Sequence, residues 1–183
     1  MTWRVSRRDQ PSPVMRRGVA KDLERVRFVG LDIDGVLTDG GVVLGEDNVQ
    51  HRRFDIKDGL GLVRFVRSGG VVAIISSSKA TSGIDRLKGF GIQDIYTGVA
   101  DKLEVLRDRL EHHRIDPVHA AYMGDDLPDM ACLRVVGVPA APVDAVGPVL
   151  SLARFVSSRP GGRGAVRELT DYILRDRVVD GHA

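Results

Sequence analysis

Four short stretches of this 183-residue chain carry side chains that can act together. Asp32 and Asp34 stand one residue apart at the end of the apolar run Phe28-Val29-Gly30-Leu31, with Gly35 next. Ser76-Ser77-Ser78 follow a second apolar run, and Asp125 and Asp126 follow a third through Gly124. Lys102 opens an amphipathic stretch. In a strand, side chains alternate, so Asp32 and Asp34 face the same side and repel each other unless a cation or proton lies between them. Carboxylates from separate strand ends make an oxygen-rich site for Mg²⁺. A hydroxyl and an ammonium suit a phosphate, and a remaining carboxylate can form an aspartyl-phosphate with a neighbour as acid/base. Each stretch alone has an ordinary structural use. Serines cap helices, a lysine at a helix start is usually solvated, and aspartates at a helix N-terminus suit the dipole. Their coincidence at strand ends is what points to chemistry.

The elements that position these groups read as an alternating series. Residues 71–75 and 120–123 are buried strands like 28–31, and a short strand is expected at 94–96. Helices are expected from Asp58-Gly59 to Gly69-Gly70, up to Gly89, over 102–113, over 127–134 and over 166–177. Residues 135–140 and 155–156 read as short edge strands, and 41–54 as a β-hairpin around Gly45-Glu46-Asp47-Asn48. Alternation at this spacing implies an α/β fold, a Rossmann-like three-layer parallel sheet, whose polar strand ends share one edge.

Composition narrows the class. Hydrophobic residues make up 43% and charged residues 28%, as in an ordinary globular domain. Residues 1–24 hold six Lys/Arg against three Asp/Glu, whereas the rest holds 21 against 22. The basic excess therefore belongs to an N-terminal arm, expected to be mobile with a short helix from about Val19, and gives no nucleic-acid-binding face. A single domain is expected over 25–178, with a tail at 179–183. The lone Cys132 excludes an internal disulfide and fits a reducing compartment. No apolar run suits a membrane span or a signal peptide, so a cytoplasmic location is expected.

The stretch 32–40, Ser76, Lys102 and Gly124-Asp125-Asp126-Leu127-Pro128-Asp129 resemble the four motifs of the haloacid dehalogenase superfamily of phosphatases. The glycine-flanked hairpin, Phe54-Asp55-Ile56-Lys57-Asp58-Gly59, and residues 161–168 (Gly-Gly-Arg-Gly-Ala-Val-Arg-Glu) resemble its cap-less branch of 3-deoxy-D-manno-octulosonate 8-phosphate phosphatases. The resemblance covers residues 26–176. It implies Asp32 as nucleophile, Asp34 as general acid/base, and Mg²⁺ held by Asp32, the Asp34 carbonyl and Asp125. It further implies Asp126 around a bound water, and Ser76 and Lys102 on the phosphoryl oxygens. Relatives act on nine-carbon sugar-acid 9-phosphates, or are non-catalytic modules of acylneuraminate cytidylyltransferases, and a phosphoprotein substrate is a third alternative. The second motif of this branch commonly reads Thr-Gly-Arg or Thr-Gly-Glu. Ser76-Ser77-Ser78 keeps the hydroxyl and loses the long charged side chain, for which Lys79 is a candidate replacement.

Spacing carries one more expectation. Only 41 residues separate Asp34 from Ser76 and 25 separate Ser76 from Lys102, leaving no room for a cap domain. A neighbouring subunit of a homotetramer is the cover the resemblance implies, with the hairpin as assembly element. Arg163, among three glycines, and Arg167 are candidates for a lid and for a substrate carboxylate.

Overall fold

The structure, a computed structural model, describes residues 11–44, 46, 50–79, 83–175 and 177. In chain order its elements are β1 (Val14–Met15), α1 (Val19–Leu23), β2 (Phe28–Leu31), β3 (Val43–Leu44), β4 (Gln50–His51), α2 (Ile56–Arg67) and β5 (Val71–Ile75). There follow α3 (Ile84–Gly89), β6 (Asp94–Tyr96), α4 (Lys102–His112), β7 (Ala120–Met123), α5 (Met130–Leu133), β8 (Val138–Ala141), α6 (Gly147–Leu152), β9 (Phe155–Val156) and α7 (Ala165–Ile173). Seven strands form one sheet in the order β1-β9-β8-β7-β2-β5-β6, parallel throughout except for β1.

The central strands are apolar at nearly every position because both faces are covered. Val29, Leu31, Val72, Ile74, Ala121 and Met123 meet Leu62 and Phe65 of α2 and Val166, Leu169 and Ile173 of α7 on one side. Phe28, Ala73, Ile75 and Tyr122 meet Leu106 and Leu110 of α4, Cys132 of α5 and Val149 of α6 on the other. This is the expected three-layer α/β arrangement, with no cap domain among the described residues. The register brings Leu31, Ile74 and Met123 level across β2, β5 and β7, so the residues that follow them leave the sheet along one edge.

Four departures from the sequence reading have physical causes. The arm is docked from Val14 onward, since β1 pairs antiparallel with β9 and α1 buries Val19 and Leu23 in the core. Residues 1–10 and 178–183 lie outside the described residues. Strands β8 and β9 are interior, because β8 lies between β7 and β9 and β1 covers the outer side of β9. Helix α6 was not foreseen; its six residues are too few for an amphipathic period to show. The last helix ends at Ile173, not Arg177.

The hairpin β3–β4 forms a separate two-stranded sheet. Its base joins the loop after β2 through a bridge between Thr38 and Phe54, while Val43 and Leu44 are exposed.

Candidate active site

Asp32, Asp34, Ser76, Lys102, Asp125 and Asp126 all line one cleft at that sheet edge, with Gly35, Gly40, Ser77, Ser78 and Pro128. Each is delivered by a local device. Asp32 takes a backbone bond to Met123, and its Oδ1 accepts from Ile33 N at 2.7 Å, which turns Oδ2 toward Lys102. Gly35 has φ of +80°, and a Cβ there would lie 2.0 Å from Asp125 Oδ2, so only glycine lets the two motifs approach. Asp101 caps α4 by accepting from Leu103 N and Glu104 N, which fixes the helix start and sends Lys102 inward. Ser76 is buried, and its hydroxyl oxygen accepts from Ser78 N at 3.2 Å.

The electrostatic centre is the Lys102 ammonium. It lies 2.8 Å from Asp32 Oδ2 and 2.8 Å from Asp129 Oδ1. Asp129 was not singled out as a site residue by sequence reasoning. It is fully buried and saturated: Oδ1 also accepts from Tyr122 OH at 2.9 Å, and Oδ2 accepts from Asp125 N and Asp126 N at 3.1 and 3.4 Å. Asp32, Asp125 and Asp129 can bring one oxygen each to within 4.8 Å of one another.

One ammonium does not balance three carboxylates. Burial pushes the Asp32 carboxyl up to about 6, Asp129 adds repulsion, and Lys102 offsets only part of this. Burial pushes Asp125 up to about 7, with repulsion from Asp129, Asp32 and Asp126. Burial opposes the charge on Lys102, but Asp32 and Asp129 outweigh it and hold the ammonium above its ordinary value. Both members of the Asp32–Lys102 pair are raised: at Asp32 burial is the first cause and Asp129 adds to it, and at Lys102 the two carboxylates together outweigh burial. An all-oxygen donor set short of positive charge fits a hard divalent cation.

Asp126 is exposed and caps the short 3-10 turn Leu127–Asp129, accepting from Leu127 N at 2.7 Å. Three predicted candidates lie away from the cleft lining. Lys79 is exposed beside Gly98. Arg163 is 57% exposed, 3.5 Å from Asp39. Arg167 sits on α7, its guanidinium 2.8 Å from Asp171 and its backbone N–H donating to the buried Asp58. Gly161 and Gly162, just before Arg163, serve close approach and not reach. A Cβ on Gly161 would lie 1.8 Å from Gly35 O, and Gly162 N donates to Val36 O. A second residue that sequence reasoning missed is Arg52. Its side chain is 4% exposed and forks onto Asp34. Its only signal is a charge in a β-prone run.

No family model matches the chain. Among curated proteins, it is 39% identical over 162 residues to the 3-deoxy-D-manno-octulosonate 8-phosphate phosphatase KdsC of Escherichia coli K12, spanning 88% of this chain and 86% of that protein. The chain belongs to the 3-deoxy-D-manno-octulosonate 8-phosphate phosphatase family of the haloacid dehalogenase superfamily. Solved structures of this family superpose closely. The phosphatase from Yersinia pestis matches with a TM-score of 0.84 and 36% identity, over 86% of this chain and 85% of that one. The enzyme from Moraxella catarrhalis, described in complex with magnesium, phosphate and 3-deoxy-D-manno-octulosonate, matches with a TM-score of 0.83 and 30% identity, over 86% and 90%. The relatives of this family are phosphoric monoester hydrolases.

Proposed function

We propose that the chain is a Mg²⁺-dependent phosphatase of a 2-keto-3-deoxy sugar-acid phosphate, with 3-deoxy-D-manno-octulosonate 8-phosphate as the favoured substrate. The observation that carries this is the convergence of Asp32, Ser76, Lys102 and Asp125 in one cleft of a chain from this family. The Moraxella relative's complex supports the metal and the sugar acid.

In this reading Asp32 and Asp125 bring side-chain oxygens, and the Asp34 carbonyl a third, to the cation. When bound, the cation neutralises phosphoryl charge and aligns the ester with its nucleophile. Lys102, held by Asp32 and Asp129, and the Ser76 hydroxyl receive the phosphoryl oxygens. One Asp32 oxygen attacks phosphorus, and the bond to the sugar oxygen breaks as Asp34 gives that oxygen a proton. Water then attacks phosphorus of the aspartyl-phosphate, Asp34 takes its proton, and the Asp32 carboxylate is restored. Asp129 holds Lys102 and the turn that carries Asp125, while Asp126 would orient a water bound beside the cation.

The open cleft needs a cover, and the apolar side chains of Val43, Leu44, Ile56 and Leu60 are exposed on the hairpin and the adjoining start of α2. Burying this strip between copies supports a homotetramer assembled through the hairpin. A cytoplasmic setting fits the single, buried Cys132. Among the described residues, no helix is long and apolar enough to cross a membrane.

The test is phosphate release from eight- and nine-carbon sugar-acid phosphates, simple sugar phosphates and a phosphopeptide, with and without EDTA. Fastest release from the eight-carbon 8-phosphate, abolished by EDTA, is expected. Preference for the nine-carbon ester moves the substrate, and no release from any ester makes the chain a non-catalytic assembly module.

A further inference from the structure

Arg52 occupies an unusual place for a hairpin residue. It directly follows β4, beside the exposed strand residues Gln50 and His51, yet its side chain is almost wholly buried. Nε–H donates to Asp34 Oδ1 at 2.6 Å. One terminal nitrogen donates to Asp34 Oδ2 and to Ser78 Oγ, both at 3.2 Å, and the other to Gln50 Oε1 at 3.3 Å. These bonds engage most of the five N–H groups of a guanidinium, so no fork is left for a ligand.

The hairpin base is locked to the same loop that carries Asp34. Thr38 and Phe54 form a bridge, and Arg53 donates twice to Asp39 Oδ2, at 3.1 and 3.2 Å. Arg52 therefore approaches Asp34 from a fixed base. The Asp34 side chain is itself 32% exposed at the cleft, and without this fork its carboxylate would be free to turn among rotamers.

We propose that Arg52 is the positioning residue of the acid/base: it anchors Asp34 by Oδ1 and leaves Oδ2 facing the phosphoryl transfer. The inference rests on the phosphatase reading above and on Asp34 as its acid/base. The asymmetry of the fork carries it. The Nε bond to Oδ1 is short and unshared, whereas the bond to Oδ2 is longer and its donor nitrogen also serves Ser78. Oδ2 is thus the oxygen that can exchange a proton without loss of the anchor. In the first step its proton passes to the sugar oxygen as the phosphorus–oxygen bond breaks and the electron pair leaves with that oxygen. In the second it takes a proton from the attacking water. Ser78 holds the same terminal nitrogen that reaches Asp34 Oδ2, a task for which a short hydroxyl is suited and a long cation is not.

The experiment compares Arg52→Ala, Arg52→Lys and the wild type in first-turnover release of the leaving group with excess Mg²⁺. The substrates are 3-deoxy-D-manno-octulosonate 8-phosphate, whose alkoxide needs a proton, and p-nitrophenyl phosphate, whose phenolate does not. General acid catalysis contributes about 10²–10⁴-fold, so Arg52→Ala should release sugar about 100-fold more slowly and nitrophenolate within about 3-fold of the wild type. KM for the sugar ester should stay within about 3-fold. Arg52→Lys keeps one charged donor for Oδ1, keeps the fold if alanine does not, and should recover about 10-fold on the sugar ester. Equal losses on both esters, or a loss confined to KM, would mean a structural or binding role and overturn this inference alone. Unchanged sugar release in both variants overturns it as well. A wild type inert toward both esters overturns the phosphatase reading and this inference with it.

Discussion

Replacing Asp129 by asparagine separates charge from shape at the buried centre of the site. The carboxylate serves two pairs of donors: Lys102 Nζ and Tyr122 OH at Oδ1, Asp125 N and Asp126 N at Oδ2. An amide has one acceptor oxygen. If it faces the backbone N–H groups, its NH₂ meets an ammonium and a hydroxyl donor; flipped, it strands two backbone N–H groups. A buried donor left unpaired costs about 1–3 kcal/mol. Breaking a buried ion pair outright costs about 3–5 kcal/mol, but Lys102 keeps Asp32 at 2.8 Å. Loss of the Asp129 charge also relieves the repulsion that helps raise Asp32 and Asp125. The net destabilisation should therefore be about 2–3 kcal/mol, in the upper part of the first range and no higher than the foot of the second. For a chain of this size that lowers Tm by about 4–12 °C. Urea and thermal unfolding of both proteins in EDTA, where no cation contributes to folding, give the number. A difference below about 0.5 kcal/mol with an unchanged urea slope would refute the view that Asp129 is a structural anchor of the cluster.

Asp32→Asn should abolish phosphate release and leave the melting curve near wild type or above it, because the amide cannot attack phosphorus and the repulsion within the cluster falls; retained turnover would exclude Asp32 as nucleophile. Calorimetric titration with Mg²⁺ should show binding lost in Asp125→Ala, whereas Asp126→Ala, which removes only an exposed cap, should weaken it by less than about 10-fold. The reverse order would exchange the roles of Asp125 and Asp126. Asp58 is buried, accepts from Gly164 N and Arg167 N, and is pushed by burial up to about 6. A carboxyl raised in the folded state contributes stability below its unfolded value that is lost as pH rises through about 6. The stability of the wild type relative to Asp58→Asn should therefore be about 2 kcal/mol greater at pH 4.5 than at pH 7.5; a flat difference between the two unfolding curves removes Asp58 as the cause.

The parallel core and most of the cleft were legible because burial on both faces writes continuous apolar runs, and the polar residues that end those runs stand out. Phe28–Leu31, Val71–Ile75 and Ala120–Met123 show this, with Asp32, Ser76 and Asp125 just beyond them. What escaped notice is defined by neighbours distant in sequence. Strand β8 is as long as the central β2 and β7, but no polar cluster follows it in sequence, and only its pairing with β7 and β9 shows it to be interior. Asp129 in sequence is one more acid in the first turn of a helix, and it becomes the counter-charge of Lys102 only through a chain separation of 27 residues. The glycines at 161 and 162 illustrate the same point from the other side. In sequence they signal freedom to bend, but in the structure they are buried against the backbone of Gly35 and Thr38, so their small size admits the loop where any Cβ would collide. That contact ties the C-terminal segment to the turn after Asp34, while the hairpin ties Arg52 to Asp34 itself. The loop that carries Asp34 is thus braced from two elements that the motifs alone do not connect. A change in either brace should alter release of the leaving group before it alters phosphate binding, because Ser76 follows β5 and Lys102 opens α4, each with its own supports.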